Sequence, residues 1–189
     1  MAQYFNSEQW VDSYIGAVRD VVARPAEFFT GLPKATQYGA SLMFFSITLA
    51  IPLLVFALAS FGLALLVAPF IWLMAVASTW LWAWYLSWAV RGFARQELDT
   101  VNAFQICAYA NVPMLLSWLP VVGMLVTVWS IALQWFGLTR SCNVSSGVAM
   151  AILLVPLLVL SLSLGILVVL LGIYAAQNGI QMPQMPTLI

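Results

Sequence analysis

Residues 35–90 read ATQYGASLMFFSITLAIPLLVFALASFGLALLVAPFIWLMAVASTWLWAWYLSWAV, a run without a single Asp, Glu, Lys or Arg. A membrane-spanning helix needs about 20 mostly apolar residues, so this window predicts two of them, roughly 38–60 and 65–89, joined tightly near Phe61-Gly62. The window 100–139 predicts two more, roughly 101–118 and 122–139, turning at Leu119-Pro120. A fifth, over about 148–173, is long enough to tilt. The expected fold is an all-α, polytopic bundle of five transmembrane helices.

Composition agrees. The chain is 64% hydrophobic and 6% charged, against roughly 45–50% and about 25% in soluble domains. Its charges fall in three groups, with none between Lys34 and Arg91, between Asp99 and Arg140, or after Arg140. Five spans bring the N-terminal region, the 90–100 loop and the 140–147 loop to one face, which then holds every Lys and Arg. The positive-inside rule makes that face cytoplasmic, so the N-terminus is expected inside and the C-terminus outside. Trp80, Trp82, Trp84, Trp88, Trp129 and Trp135 gather towards the cytoplasmic ends of their spans; the outermost, Trp88 and Trp135, are expected in an interfacial aromatic belt, while Trp80 and Trp84 lie deeper, where packing or lining a lipid groove is the alternative. The early residues lack the basic start and short apolar run of a cleaved signal, so the N-terminus is expected to be retained. Cys107 and Cys142 are too few for a disulfide framework and are expected to be reduced.

Ahead of the spans, Ser7 to Ala23 puts Trp10, Val11, Tyr14, Ile15, Val18, Val21 and Val22 on one helical face, away from most of the charges. This predicts an amphipathic helix capped by Asn6, with Gln9 in the capping-box position, and ended by Arg24-Pro25. Pro25 then opens a second short helix whose Phe28 and Phe29 are expected at the lipid interface. Trp10, Tyr14, Val18, Phe28 and Phe29 form the expected membrane-interface or partner face. The expected organisation is an interfacial region over 1–37, a five-helix domain over 38–174 and a short extracytoplasmic tail over 175–189.

Little in the chain suggests catalysis. It has no histidine and no acidic or basic residue inside a predicted span, which disfavours proton coupling and intramembrane hydrolysis. Serine nucleophiles would have no base, and phosphate-binding and metal-ligand spacings are missing. No cofactor or metal is expected; the Met-Pro step repeated over 181–186 is a weak soft-metal pattern. The spans instead carry small and polar residues at helical spacing. Gly123, Thr127, Ser130, Gln134 and Gly137 make one stripe, and Gln105, Cys107, Ala108 and Asn111 cluster in the third span. The fifth span adds Ser161, Gly165 and Gly172. Such stripes are the ordinary means of close helix packing in lipid; the sharper alternative is a polar path lined by Asn111, Gln105, Thr127, Ser130 and Gln134. Pro52, Pro69, Pro113 and Pro156 interrupt the spans, each removing a backbone donor.

Three motifs together resemble the Yip1 domain family: Pro25-x-x-Phe28-Phe29, Ala108-Tyr109-Ala110-Asn111-Val112-Pro113, and Trp129 followed by Gly137-Leu138-x-Arg140. The resemblance covers about Pro25 to Ile173. It implies a five-span, N-in membrane protein, with Pro25, Tyr109, Pro113 and Gly137 as motif residues. Eukaryotic members sit in Golgi and ER membranes and associate with Rab GTPases and with one another in vesicle traffic. This chain lacks their long N-terminal region and an Asp-Leu-Tyr-Gly-Pro-like motif, so it looks like the short bacterial version, with the inner membrane as its expected address.

Two functions follow as expectations. One is a non-enzymatic membrane scaffold, assembly or membrane-organisation factor, whose partners are membrane lipids and another protein or a second copy of the chain, with no nucleic acid. The other is an oligomeric channel or a transporter of lipid or small solute that uses the polar path.

Overall fold

The computed structural model describes residues 4–119 and 122–177. Among them every regular element is helical: α1 Trp10–Ala23, α2 Pro25–Thr30, α3 Gly39–Ala59, α4 Leu63–Ala89, α5 Thr100–Ala110, α6 Gly123–Phe136 and α7 Ser146–Gln177. Two compact units result, Met1–Ile152 and Leu153–Ile189.

The N-terminal boundaries follow local chemistry. Asn6 accepts from the Glu8 N–H at 3.0 Å and caps a short 3-10 turn over Ser7–Gln9. Gln9 makes no capping bond with its side chain, and α1 starts one residue later. Pro25 takes the first position of α2, where its missing N–H costs nothing. At the other end of α3, the Gly62 N–H reaches the Ala57 carbonyl at 2.7 Å and the Phe61 N–H that of Leu58 at 3.4 Å. This is a Schellman stop, and with φ positive at both Phe61 and Gly62 it folds α4 back along α3 as the sequence suggests.

Among the described residues, three helices are long and apolar enough to cross a membrane: Gly39–Ala59, Leu63–Ala94 and Ser146–Leu171. The two expected spans between them are shorter than the sequence suggests. At 1.5 Å per residue, α5 and α6 run about 16 and 21 Å, against a hydrocarbon core about 30 Å thick. The break in the first lies at Asn111, after which Val112–Leu116 continues as a 3-10 segment. Pro113 explains it: the residue has no N–H for the carbonyl four residues back and its ring clashes with that carbonyl, so the α-helical bonding stops and Val112–Leu116 goes on with the 3-10 pattern. Pro52, Pro69 and Pro156, by contrast, are carried inside their helices. Pro120, at the expected turn, and the Met-Pro tail lie outside the described residues.

The core of the first unit sits at the charged ends of α3 and α4. Burial runs along Ser41, Phe44, Phe45, Thr48 and Leu49 of α3 and along Ala83, Leu86, Ser87 and Ala89 of α4, with α5 buried almost throughout. The rest of α4, from Leu63 to Leu81, contributes no buried residue. Both α4 and α6 finish in a π-helical turn that carries an arginine, Val90–Ala94 with Arg91 and Gly137–Ser141 with Arg140. In the second unit, the described side chains from Leu158 to Leu171 are all exposed, as for a helix solvated by lipid.

Candidate functional site

Tyr109, near the end of α5, is the seat on which the N-terminal region is held. Its ring lies 5.0 Å from Phe28 and 4.6 Å from Phe44, and its hydroxyl accepts from the Phe5 N–H at 3.3 Å. Tyr14 of α1 packs tilted against Phe44, with ring centroids 5.0 Å apart, and shares a 3.1 Å hydrogen bond with Thr48. Such aromatic pairs add about 0.5–1.5 kcal/mol each beyond their buried area. Phe28 and Phe29, expected at the lipid interface, are instead fully enclosed, with no exposed surface. Pro25 turns α2 back so that both rings enter the bundle, and the Ser141 hydroxyl locks the return by donating to the Phe29 carbonyl at 2.6 Å.

The expected face of α1 is divided in two. Tyr14, Ala17 and Val21 are buried, Val18 is half-buried, and Trp10 stays 47% exposed. A second apolar edge, Val11, Ile15 and Val22, faces outward. Pro25 lies at the rim of an apolar groove of about 530 Å³ with Trp129, Leu133 and Phe136.

The expected polar stripe does not form one lining. Gln134 is buried and its Oε1 is taken by the Trp82 indole N–H at 2.7 Å, which ties α4 to α6. Ser130 is buried, with its hydroxyl unpartnered among the described residues. Thr127 is exposed, and Asn111 is half-buried where α5 ends, ahead of the buried Pro113. Gly137 is buried against Ile106 of α5, so close that a Cβ there would collide with the Ile106 Cγ2.

Gln105 behaves differently. It is 7% exposed and lines two neighbouring cavities, of about 380 and 620 Å³, that share Pro33, Lys34 and Gln105. Around the first stand Glu97, Asp99, Asn102 and Cys142; around the second stand Phe5, Ser41 and Tyr109. The loop over them is fixed by the Ala35 N–H donating to Asn102 Oδ1 at 2.7 Å, and the opposite loop by the Ser87 hydroxyl donating to the Leu98 carbonyl at 2.6 Å. Neither cavity is lined by Asn111, Thr127, Ser130 or Gln134. Sequence reasoning missed Lys34, Glu97 and Asn102 as companions of Gln105. The one available signal was Asn102 at i−3, on the same helical face. Among the described residues no group of three His, Cys, Asp or Glu is placed to hold a metal ion.

Comparison with curated proteins and with solved structures gives no match. The Yip1 domain profile matches residues 19–176, a span that contains α2 to α6 complete, all but the last residue of α7 and only the C-terminal end of α1. The apolar helices and this match make the chain an integral membrane protein, and it belongs to the Yip1 domain family.

Proposed function

We propose that the protein is a non-enzymatic membrane-organising scaffold that acts by occupying the cytoplasmic leaflet unequally. The observation that carries this reading is the docking of α1 beside α3. Thr48, which holds Tyr14, lies nine residues into a candidate span, about 13 Å along its axis. The outward edge Val11, Ile15 and Val22 therefore runs beside the lipid-facing surface of α3, where an amphipathic helix inserts its apolar side among acyl chains. The short α6, whose Leu125, Val128 and Trp129 are exposed, adds to the effect, because a span shorter than the hydrocarbon core thins the bilayer around it. The bonded state of Gln134 and the outward position of Thr127 favour this reading over a polar path.

The decisive experiment is reconstitution into liposomes at a fixed protein-to-lipid ratio, with vesicle diameter read by electron microscopy. The triple variant Val11→Asp, Ile15→Asp, Val22→Asp leaves the buried Tyr14, Ala17 and Val21 untouched, so it is expected to insert and fold normally. It is also expected to give vesicles as large as protein-free ones, where the unaltered protein gives smaller ones. Equal diameters for variant and unaltered protein would refute the scaffold mechanism.

The proposed layout is five-helical, N-in and C-out, with α5 and α6 as its short members and a bacterial inner membrane as its address. Its natural probe is Cys142, which lies in the loop before α7, while Cys107 is fully buried. Burial pushes the Cys142 thiol up to about 11, although the Lys34 charge pulls the other way. The thiolate is the reactive form, so a raised pKa leaves less of it at neutral pH. A membrane-impermeant maleimide is expected to label Cys142 from the cytoplasmic side only. Relative to an ordinary thiol it should react about a hundredfold more slowly at pH 7.5, with a rate that climbs about tenfold per pH unit up to pH 10. Labelling from the opposite side in sealed vesicles of known sidedness would invert the layout.

A further inference from the structure

Independently of the scaffold reading, we propose that the paired cavity at Gln105 is a binding site for the phosphoethanolamine headgroup of a membrane lipid. Three observations converge on it.

The first is position. Lys34 stands five residues before Gly39, where one candidate span begins, and Glu97 and Asp99 follow Ala94, where the next one ends. Both flank the same end of the hairpin, so the cavity lies at the level of lipid headgroups.

The second is an unfilled demand for hydrogen bonds. Gln105 is more than nine-tenths buried, yet its carboxamide has no hydrogen-bond partner among the described residues, and it lines both cavities. The carboxamide is open to the cavities, since among the described residues the buried side-chain polar atom left without a partner is Ser130 Oγ, and so it can meet an occupant that brings both a donor and an acceptor.

The third is the charge pattern. Lys34 and Glu97 line the first cavity, and neither is ion-paired among the described residues. Asp99 gives one carboxylate oxygen to the Thr100 N–H at 2.9 Å, which leaves the other oxygen available. Asn102 has committed its Oδ1 to the Ala35 N–H, which leaves its amide N–H groups as donors. The walls thus offer a cation with amide donors for an anion, and two carboxylates for a cation that has N–H to give. A phosphate linked to a primary ammonium satisfies both halves. A choline headgroup has no N–H to donate to the carboxylates, and a glycerol headgroup has no cation. The cavity of about 380 Å³ falls within the usual range for small-molecule sites, about 300–1,000 Å³. The aromatic side chains of Phe5 and Tyr109 around the second chamber suit the glycerol and first methylenes of a lipid better than open water, which favours a lipid over a free solute.

The test is native mass spectrometry of the full chain, extracted in detergent and offered equimolar dioleoyl phosphatidylethanolamine, phosphatidylcholine and phosphatidylglycerol. Phosphatidylethanolamine is expected to be retained at least about fivefold over the other two, the margin of one charge-assisted contact. Gln105→Leu should abolish the excess. Glu97→Gln, on an exposed loop where folding is not at risk, should erase the preference over phosphatidylcholine. Lys34→Gln should weaken retention of phosphatidylethanolamine and phosphatidylcholine alike. Equal retention of the three lipids by the unaltered protein, or an unchanged preference in Glu97→Gln, overturns the proposal. Displacement of the lipid by an equimolar amount of glycerophosphoethanolamine would transfer the site to a soluble metabolite and overturn the lipid assignment.

Discussion

Phe28→Ala is expected to destabilise the protein by about 3–5 kcal/mol, the range for removing a large aromatic side chain from a closed core. Phe28 has no exposed surface and is enclosed by the rings of Tyr4, Phe29 and Tyr109 at 5.2, 5.4 and 5.0 Å. Its removal leaves a cavity at the joint between α2 and α5 and takes away one side of the Tyr109 seat. The N-terminal region should therefore loosen first. In detergent, the variant is expected to show a markedly lower thermal midpoint, and the linker over 31–38 should become sensitive to protease. Phe28→Leu should recover part of the loss. A phenylalanine at the lipid interface would behave otherwise, since alanine there costs only the difference in lipid contact. An unchanged midpoint in Phe28→Ala would return Phe28 to the interface and remove the basis for the docked α1.

The failure of the sequence to reveal this is physical. Lipid tails are as apolar as leucine, so hydrophobic periodicity in a membrane protein does not separate core from bilayer. Phe28 and Phe29 read the same in either place, and only the burial around Tyr109 decides between them. Where apolarity and chain geometry coincide, the reading was close. The spans expected over 38–60 and 65–89 correspond to Gly39–Ala59 and Leu63–Ala89, because uninterrupted apolar sequence and the Phe61-Gly62 stop leave few alternatives. Prolines were ambiguous by nature. Pro113 lies just past the end of a helix and Pro52 lies within one, although the two residues make the same local demand on the backbone. The site at Gln105 was half legible. A glutamine near the start of a predicted span stands out, but Lys34 and Glu97 reach it from two loops whose meeting is a property of the fold.

Two stretches, Trp82-x3-Leu86-Ser87-Trp88 and Trp129-x3-Leu133-Gln134-Trp135, follow one pattern along the chain. In each stretch the leucine and the following polar residue are buried, and each helix ends in a π-helical turn. Extra residues of this kind rotate the chain that follows relative to a regular helix. The first turn leads into the loop that carries Glu97 and Asp99, the second into the loop that carries Cys142, and both loops line the same cavity. Helix termination and cavity construction are therefore one feature of the sequence.

The second large effect is expected at the crossing of α5 and α6, where Gly137 lets the two backbones approach. A methyl group at this position would collide with the Ile106 Cγ2, and Ile106 is itself almost fully buried, so it has little room to yield. Gly137→Ala is expected to cost about 1–3 kcal/mol, as overpacking of a closed core does, despite the gain in helix propensity that alanine brings elsewhere. Gly147, in the first turn of α7, provides the control, because nothing lies within 4 Å of a Cβ built there; Gly147→Ala should be neutral or slightly stabilising. The cause can be isolated with Ile106→Leu, which keeps side-chain volume while moving the branch from Cβ to Cγ and so removes the obstructing methyl. Thermal midpoints of the two single variants and the double variant form a cycle with a favourable coupling, and the double variant should recover most of the Gly137→Ala loss. Additive losses would mean that the helices are not held at this contact.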